Sequence, residues 1–259
     1  MNIIAGPCQH ENLKQSLQIA NHCSKIADKY GYKYYFKASY DKANRTSFSS
    51  KRGNGIKSTI EDFALLKQES GVKILTDVHE TGQLEWIEKY YPEIIDVYQI
   101  PAFLCRQTDL IRAAVTTDKI VNIKKGQFLA PWDVEGIMTK TQGAKEIWIT
   151  ERGTSFGYNR LVVDFSGLLY LLDNYGKGLV YDATHSVQEP GGAGFSSSGN
   201  RMHVPHMCRA VSALGVTNFF IETHPEPDDA PSDGANMVKL SDFESVIRQI
   251  YDYRYIDKR

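Results

Sequence analysis

One segment shows how the chain is built, an apolar strand that opens directly into a basic loop: Phe36-Lys37-Ala38-Ser39-Tyr40-Asp41-Lys42-Ala43-Asn44-Arg45. The run Tyr32–Phe36 is aromatic and follows Gly31, which predicts a buried strand. The serines and glycines at positions 47–55 predict a loop. Lysine and arginine gathered at such a junction suit a phosphorylated or carboxylated small molecule, because Arg offers a planar fork and Lys a point charge. An isolated segment of this kind is more often a solvated basic turn, so the interpretation depends on how the other strands end.

Apolar runs alternate with helical patterns along the whole chain. The predicted strands are Ile3–Ala5, Tyr32–Phe36, Val72–Thr76, Ile94–Ile100, Lys119–Ile123, Glu146–Thr150, Gly178–Tyr181 and Asn218–Ile221. The predicted helices cover Asn12–Tyr30, Ser58–Ser70, segments through Leu84 and Leu110, a segment after Pro131, Leu161–Tyr175, His203–Leu214 and Ser241–Tyr253, the last with Ser241 as N-cap. Eight strand–helix units without a break in composition predict an α/β fold, a single-domain (β/α)8 TIM barrel over residues 1–259. An open doubly wound sheet is the alternative, disfavoured because no Gly-rich dinucleotide turn follows the first strand.

Composition restricts the function classes. The 259 residues carry a net charge of −1 and are 42% hydrophobic and 24% charged, which does not suggest a nucleic-acid binder. The first residues lack a basic region followed by an apolar run, and no stretch reaches about 18 consecutive apolar residues. We therefore expect a cytoplasmic protein that binds neither nucleic acid nor membranes. The four cysteines show no paired spacing, so each is expected to be a free thiol or a ligand.

Every predicted strand ends in a polar or ionisable group, and in a barrel these ends share one rim. In chain order they are Cys8, Lys37, Asp77 with His79, Gln99, Lys124, Glu151 with Arg152, Asp182 with His185, and Glu222 with His224. The cations Lys37, Lys42, Arg45, Arg106, Lys124 and Arg152 suffice for two anionic groups. Surface ion pairs are the alternative for any one of them.

A second chemistry can be read from the same rim. Cys8, His185, Glu222 and Asp233 offer one sulfur, one nitrogen and two oxygen ligands. Such a set suits a borderline divalent ion such as Zn²⁺ or Fe²⁺, with a position left open for substrate or water. A buried structural cysteine with loop hydrogen-bonding partners is the simpler reading of the spacing alone.

The chain resembles the 3-deoxy-D-manno-octulosonate 8-phosphate synthases, which condense phosphoenolpyruvate with arabinose 5-phosphate in lipopolysaccharide precursor biosynthesis. The matching motifs are IAGPC, FKASYDKANR, LTDVHE, QIPAFLCRQTDL, NIKKGQF, TERGTSFGYNRLVVD, DATHSVQ and ETHPEPDDAPSDG. They keep their order over essentially the whole chain, so the resemblance is specific.

The resemblance implies roles for individual residues. Lys37, Gln99, Ala102, Lys124, Arg152 and Gln188 would bind phosphoenolpyruvate, and Lys42, Asn44, Arg45 and Ser47 the sugar phosphate. Arg106 would reach the sugar phosphate of a neighbouring subunit, because family members are usually homotetramers. Cys8, His185, Glu222 and Asp233 match the metal ligands of the metal-dependent branch, so a divalent ion (Zn²⁺, Fe²⁺, Mn²⁺ or similar) is the expected cofactor. Lys124, Asp77 and His185 are the expected catalytic groups.

The seventh loop departs from the family pattern. The usual Ser-Gly-Gly-x-Arg reads Ser198-Gly199-Asn200-Arg201 in this chain, so the resemblance does not predict whether this loop closes over the site.

Three other functions remain open at this stage. A heptulosonate 7-phosphate synthase would take a four-carbon aldose phosphate, although its loop typically has proline before the arginine, where this chain has Asn44. A Schiff-base aldolase would use Lys124 or Lys37 as nucleophile. A catalytically silent relative would bind a sugar phosphate without turnover.

Overall fold

Eight parallel strands close into a barrel in the computed structural model, which describes residues 1–45, 52–192 and 198–254. We number only these barrel strands: β1 Asn2–Gly6, β2 Lys33–Lys37, β3 Lys73–Asp77, β4 Val97–Ile100, β5 Ile120–Lys124, β6 Glu146–Glu151, β7 Leu179–Asp182 and β8 Asn218–His224. Each strand pairs with its neighbours in chain order, and β8 pairs with β1 from Asn2↔Asn218 to Gly6↔Glu222. The closed barrel is thereby confirmed, and the open sheet is excluded.

Among the described residues, eight α-helices surround the barrel: α1 Leu13–Lys29, α2 Ile56–Ser70, α3 Thr81–Tyr90, α4 Thr108–Val115, α5 Val134–Met138, α6 Phe165–Tyr175, α7 Val204–Ala213 and α8 Phe243–Asp252. Helix α1 begins where Asn12 accepts a hydrogen bond from the Gln15 amide at 2.9 Å, and α6 begins at Asp164, which caps the Ser166 and Gly167 amides. Within the described ranges, none of the helices is long and apolar enough to cross a membrane.

The inside of the barrel is apolar at one end and polar at the other. Seven buried side chains, one from each strand except β5, form the apolar layer: Ile4, Tyr35, Leu75, Val97, Trp148, Val180 and Phe220. Successive side chains of a strand point to opposite faces, so the residues two positions further along point inward again. Lys37, Asp77, Gln99, Asp182 and Glu222 occupy these next positions, and all five are buried. The period of the strands thus places a charged layer directly above the apolar one.

Several predicted element boundaries are wrong. Strand β4 begins at Val97 and not at Ile94, because residues 91–94 form a turn in which the Ile94 amide bonds the Tyr91 carbonyl at 3.1 Å. Residues 161–162 pair in a short antiparallel hairpin with residues 154–155, so α6 starts only after Asp164. Ser241 does not cap α8: it lies in a 3-10 turn and contacts Asp242, and α8 starts at Phe243.

The junction at which β8 pairs with β1 predicts a specific stability loss. Asn218 is buried, accepts a hydrogen bond from the Asn2 amide at 3.0 Å, and donates to the carbonyls of Lys177 and Leu179 at 2.6 and 3.1 Å. Asn218→Ala should lower the free energy of unfolding by about 2–4 kcal/mol, because one buried and two partly buried backbone groups lose a hydrogen-bond partner. Urea unfolding measures this. Asn174→Ala, which removes only an exposed bond to the Tyr170 carbonyl, should change stability by less than about 0.5 kcal/mol. Equal losses of unfolding free energy in the two variants would contradict the stabilising role of the Asn218 hydrogen bonds.

Candidate active site

The carboxyl ends of the strands open into one cleft of about 1030 Å³. The cleft is lined by most of the residues that the sequence predicts for the site: Lys37, Lys42, Asn44, Arg45, Asp77, Gln99, Ala102, Lys124, Arg152, His185, Gln188 and Asp233. Cys8 and Glu222 are buried directly behind this lining. Ser47 lies outside the described residues.

Two lysines form the charged floor of the cleft. The Lys37 ammonium, only 2% exposed, donates to Glu222 Oε1 at 2.9 Å and to the Cys8 carbonyl at 3.0 Å. Lys124, at the end of β5, donates to the buried carboxylate of Asp182. Burial lowers the pKa of Lys124 to about 8, although Asp182 opposes this shift. Both lysines therefore belong to buried ion pairs, and the surface-pair alternative is wrong for them.

An aromatic ring lies beneath both cations. The Lys124 Nζ is 3.2 Å from the centroid of the Phe220 ring, and the Lys37 Nζ is 5.5 Å from it. The His185 ring is tilted against the same side chain with a centroid separation of 5.9 Å. The negative face of an aromatic ring attracts a nearby ammonium group, more so when water is excluded. Phe220, the top of the apolar layer, thus supports the charged layer electrostatically as well as sterically.

Arg152 completes the group of cations on one side of the cleft. Its guanidinium donates to Gln188 Oε1 at 3.0 Å, and the Gln188 amide nitrogen donates to Asp233 Oδ1 at 2.7 Å. Burial lowers the pKa of Arg152 below its usual value, while nearby carboxylates, Asp182 first among them, oppose that shift. Lys37, Lys124 and Arg152 thus present three buried positive groups to a small anionic molecule.

Four possible metal ligands converge beside these cations. The ligand atoms of Cys8, Glu222 and Asp233 lie within 4.8 Å of one another. The Cys8 thiol donates to Asp233 Oδ2 at 2.9 Å. His185 Nε2 is 3.9 Å from Glu222 Oε2 and 3.9 Å from Asp233 Oδ2. The four residues come from three distant parts of the sequence, and barrel closure brings them together.

The donor set and its environment fit a divalent cation. Ligands held by one ion at 2.0–2.3 Å lie roughly 3–4 Å apart, so a small contraction of this cluster would enclose an ion. Glu222 Oε2 is buried and has no hydrogen-bond partner in the described part of the chain. Burial, with Asp233 and Glu222, raises the pKa of the Cys8 thiol well above its ordinary value. Binding of a cation there would require the thiol to lose its proton.

A dyad of Asp77 and His79 forms the opposite wall. Asp77 Oδ2 lies 3.2 Å from His79 Nε2. Burial would raise the pKa of Asp77, but the hydrogen bond from His79 and the charge of Lys42 outweigh it and keep the pKa well below the usual range. Burial would lower the pKa of His79, but the hydrogen bond with Asp77 and the charge of that carboxylate outweigh burial and raise the pKa. Asp77 Oδ1 and His79 Nδ1 are buried without hydrogen-bond partners among the described residues, so this dyad can still bond a ligand.

The described part of the basic loop after β2, residues 38–45, lines the cleft. Lys42 Nζ donates to the Ser39 hydroxyl at 2.9 Å, and Arg45 donates to Gln9 Oε1 and to the Pro231 carbonyl at 3.0 Å each. Asn44 is exposed at the edge of the cleft. The loop therefore extends the positive lining outward from the floor.

Arg106 lies elsewhere. It is exposed and lines a separate depression of about 570 Å³ with Trp132 and Lys140. Lys140 Nζ donates to the Arg106 carbonyl at 2.7 Å. Within one subunit Arg106 is therefore not grouped with the other predicted phosphate ligands.

The described part of the altered seventh loop packs on the eighth. The Arg201 guanidinium pairs with Asp228 and donates to the Gly234 carbonyl at 2.9 Å. Asn200 accepts a hydrogen bond from the Met202 amide at 3.0 Å. Asn200 in place of the usual residue thus caps the turn that leads into α7.

Sequence reasoning gave no role to two buried groups of the site, Asp182 and Lys125. Asp182 lies between Lys124 and His185, and the Asp-Ala-Thr-His spacing contained the signal. The Nζ of the buried Lys125 lies 3.4 Å from Glu151 Oε2, and this ion pair joins the ends of β5 and β6. A buried lysine of this kind looks like a surface residue in sequence, so only the fold could reveal it.

The sequence also matches known proteins. A sequence model of the DAHP synthetase I family matches residues 1–256. The chain is 49% identical to the 2-dehydro-3-deoxyphosphooctonate aldolase of Rhodopseudomonas palustris over 261 aligned positions, which cover 100% of this chain and 90% of that protein. Proteins of the same name from Nitrobacter winogradskyi and Bartonella bacilliformis are 49% and 48% identical, over 100% of this chain and 89% and 90% of their own lengths.

The close approach of β1 and β2 predicts the effect of one methyl group. A Cβ on Gly6 would lie 2.1 Å from the Lys37 carbonyl oxygen, so Gly6→Ala must separate the strand ends that carry Cys8 and Lys37. We expect a loss of about 3 kcal/mol or more in unfolding free energy, at the upper end of overpacking effects. Gly82→Ala in α3, where a Cβ meets nothing within 4 Å, should be neutral or stabilising. Thermal and urea unfolding compare the two, and a neutral Gly6→Ala would contradict the packing at this site.

Proposed function

The chain belongs to the DAHP synthetase I family, and we propose that it condenses phosphoenolpyruvate with arabinose 5-phosphate and water to give 3-deoxy-D-manno-octulosonate 8-phosphate and phosphate. The observation that carries this proposal is the set of three buried cations, Lys37, Lys124 and Arg152, at the rim of a barrel whose full length matches 2-dehydro-3-deoxyphosphooctonate aldolases. The product is a lipopolysaccharide precursor.

Phosphoenolpyruvate fits the floor of the cleft. Its phosphate and carboxylate are two anions on a small rigid frame, and Lys37, Lys124 and Arg152 supply matching positive groups. Gln99, Ala102 and Gln188 line the same cleft and complete this subsite. Arg152 suits the phosphate, because its planar fork can make two parallel hydrogen bonds.

The sugar phosphate fits the outer half of the cleft. Lys42, Asn44 and Arg45 lie above the floor on the loop after β2, where a phosphate can be bound while the aldehyde carbon points inward. We assign Ser47, beyond the described part of this loop, to the same subsite because it continues the motif.

The reaction then follows from these positions. C3 of phosphoenolpyruvate attacks the aldehyde carbon, water adds at C2, and phosphate leaves by cleavage of its C–O bond. Charge develops on the aldehyde oxygen and on the leaving phosphate, so fixed cations stabilise the transition state. Lys124 is placed to neutralise this charge or to transfer a proton, with Asp77 and His185 as further catalytic groups on the cleft walls.

A divalent cation held by Cys8, His185, Glu222 and Asp233 is part of the proposal. When bound, it would polarise the aldehyde oxygen or lower the pKa of a coordinated water. The unpartnered Glu222 Oε2 and the mixed sulfur, nitrogen and oxygen donor set support this assignment.

We further propose a cytoplasmic homotetramer. Large apolar side chains on the segments after β4, β5 and β6 are exposed, with Phe103 at 59%, Trp132 at 62% and Tyr158 at 96%. Exposed apolar groups of this size are typical of subunit interfaces. Arg106, outside the cleft of its own subunit, would reach the sugar phosphate of a neighbour. All four cysteines are free thiols, which agrees with a reducing compartment.

The aldose preference tests the proposed function. Phosphate release should be faster with arabinose 5-phosphate than with erythrose 4-phosphate, because Asn44 can bond a sugar hydroxyl. A site built to bond a hydroxyl can discriminate by up to about 10⁴-fold. Asn44→Ala should reduce this preference, whereas Asn174→Ala on α6 should leave it unchanged. Equal or faster turnover with the four-carbon sugar would favour the heptulosonate reaction, and no turnover with either would favour a binding protein.

The lowered pKa of Lys124 predicts that kcat/KM falls at alkaline pH. Loss of its proton above about pH 8 removes a positive charge from the free enzyme, so kcat/KM should fall roughly tenfold per pH unit above that value. The limb in kcat should lie at higher pH, because bound anions stabilise the ammonium form. Lys124→Arg keeps its charge to above pH 12 and should be slower but without this limb. A flat kcat/KM up to pH 10 would contradict the role, and a borohydride-trapped adduct on Lys124 or Lys37 would favour the Schiff-base aldolase.

Metal removal tests the proposed cofactor. Chelation should abolish phosphate release, and Zn²⁺, Fe²⁺ or Mn²⁺ should restore it. Cys8→Ala should lose most bound metal and nearly all turnover, because it removes the thiolate ligand. Cys208→Ala, which removes a buried thiol of α7, should retain the metal although it loses some stability. Full activity in protein shown by elemental analysis to be metal-free would overturn the assignment.

A further inference from the structure

Asp182, at the end of β7, is a buried carboxylate that no proposed step uses, although it contacts four groups of the site. Its Oδ1 accepts hydrogen bonds from the backbone amides of Thr184 and His185 at 3.1 and 2.9 Å. Its Oδ2 lies 2.8 Å from His185 Nδ1 and also accepts from the Lys124 ammonium. One carboxylate thus joins the cation half of the cleft to the metal-ligand half.

The contacts determine which nitrogen of His185 carries a proton. Backbone amides and a lysine ammonium only donate, so both oxygens of Asp182 act as acceptors. His185 Nδ1 must then donate to Oδ2. The lone pair of the neutral ring is left on Nε2, the nitrogen that lies 3.9 Å from Glu222 and from Asp233. This is the tautomer that a cation at the cluster requires.

We propose that Asp182 is a positioning residue that holds His185 in the Nδ1–H form with Nε2 directed at the cation cluster, and at the same time holds the Lys124 ammonium over the Phe220 ring. This inference rests on the proposed function for its purpose, because that reaction needs a metal ligand and a phosphate-binding cation in one arrangement. Because Asp182 contacts both Lys124 and His185, it would fix the position of the phosphate-binding cation relative to the metal ligand.

The alternative is a purely structural role, in which Asp182 only caps the turn after β7. That role needs Oδ1 alone. Asp182→Asn separates the two roles, because the amide oxygen can still accept from the backbone while the NH₂ group replaces Oδ2 with a donor. The donor would face both His185 Nδ1 and Lys124. His185 Nδ1 could accept a hydrogen bond from this NH₂ group only if the ring proton moved to Nε2. Nε2 would then have no lone pair to offer a metal ion.

Two measurements on substrate-free protein test the proposal. Magic-angle-spinning ¹⁵N NMR of histidine-labelled, metal-free protein reports the protonated nitrogen of His185, with His185→Gln used to assign the signal. Titration with Co²⁺ reports affinity and, through thiolate-to-cobalt absorption, the participation of Cys8. We expect Nδ1–H in the unmodified protein, Nε2–H in Asp182→Asn, and Co²⁺ affinity lower by 10- to 100-fold.

Asp96→Asn is the matched control. Asp96 also pairs with a lysine, with Oδ2 2.8 Å from Lys67 Nζ, and accepts a backbone bond from Ile74 at 2.8 Å, but on the outside of the barrel. It should leave the His185 tautomer and Co²⁺ affinity unchanged.

Each outcome decides between the roles. An unchanged tautomer with Co²⁺ affinity within about twofold in Asp182→Asn would overturn the proposal, as would an unmodified protein whose neutral His185 ring carries its proton on Nε2 alone. If Asp182→Asn does not fold, the tautomer of His185 in the unmodified protein is the deciding measurement. If the protein binds no Co²⁺, the tautomers of His185 in the two proteins are compared without the affinity. Neither readout needs turnover, so protein that behaves as expected here but condenses no aldose would overturn the proposed function only.

Discussion

Two lysine ammonium groups are buried inside the barrel, and each is paired with a carboxylate from another strand. Lys37 of β2 contacts Glu222 of β8, and Lys124 of β5 contacts Asp182 of β7. Removing one partner of such a pair typically costs about 3–5 kcal/mol, because the other charge is left buried and unpaired. The charges of the cleft therefore cross-link strands that are distant in sequence, and the site and the closure of the barrel depend on each other.

The two-residue period of the strands explains how an apolar core and a charged site occupy one barrel. Tyr35 and Phe220 fill the interior, and Lys37 and Glu222 follow two positions later on the same face. The ring of Phe220 touches both layers, since it packs among apolar side chains below and faces the lysine ammonium groups above. A dry floor of this kind strengthens every electrostatic interaction above it, which suits a reaction in which negative charge develops.

The cleft has two chemically distinct halves. Lysine and arginine side chains on one side suit phosphate and carboxylate groups, whereas the sulfur, nitrogen and oxygen donors around Cys8 and His185 suit a cation. Asp182 contacts both halves through Lys124 and His185, and Glu222 of the metal-ligand half also pairs with Lys37, so the geometry of one half is transmitted to the other.

The sequence by itself determined the barrel, since alternating apolar and helical periods dictate a parallel sheet with covering helices, and it placed Lys37, Lys124 and Glu222 at strand ends. It failed where local signals compete: Leu161 has helical character but pairs in a hairpin, and Ser241 resembles a cap but lies in a 3-10 turn. Only the tertiary structure decided which residues meet. The contact between Cys8 and Asp233 spans 225 positions and exists because β8 closes on β1. Partners of this kind are chosen by barrel closure and burial, which no local pattern of residues encodes.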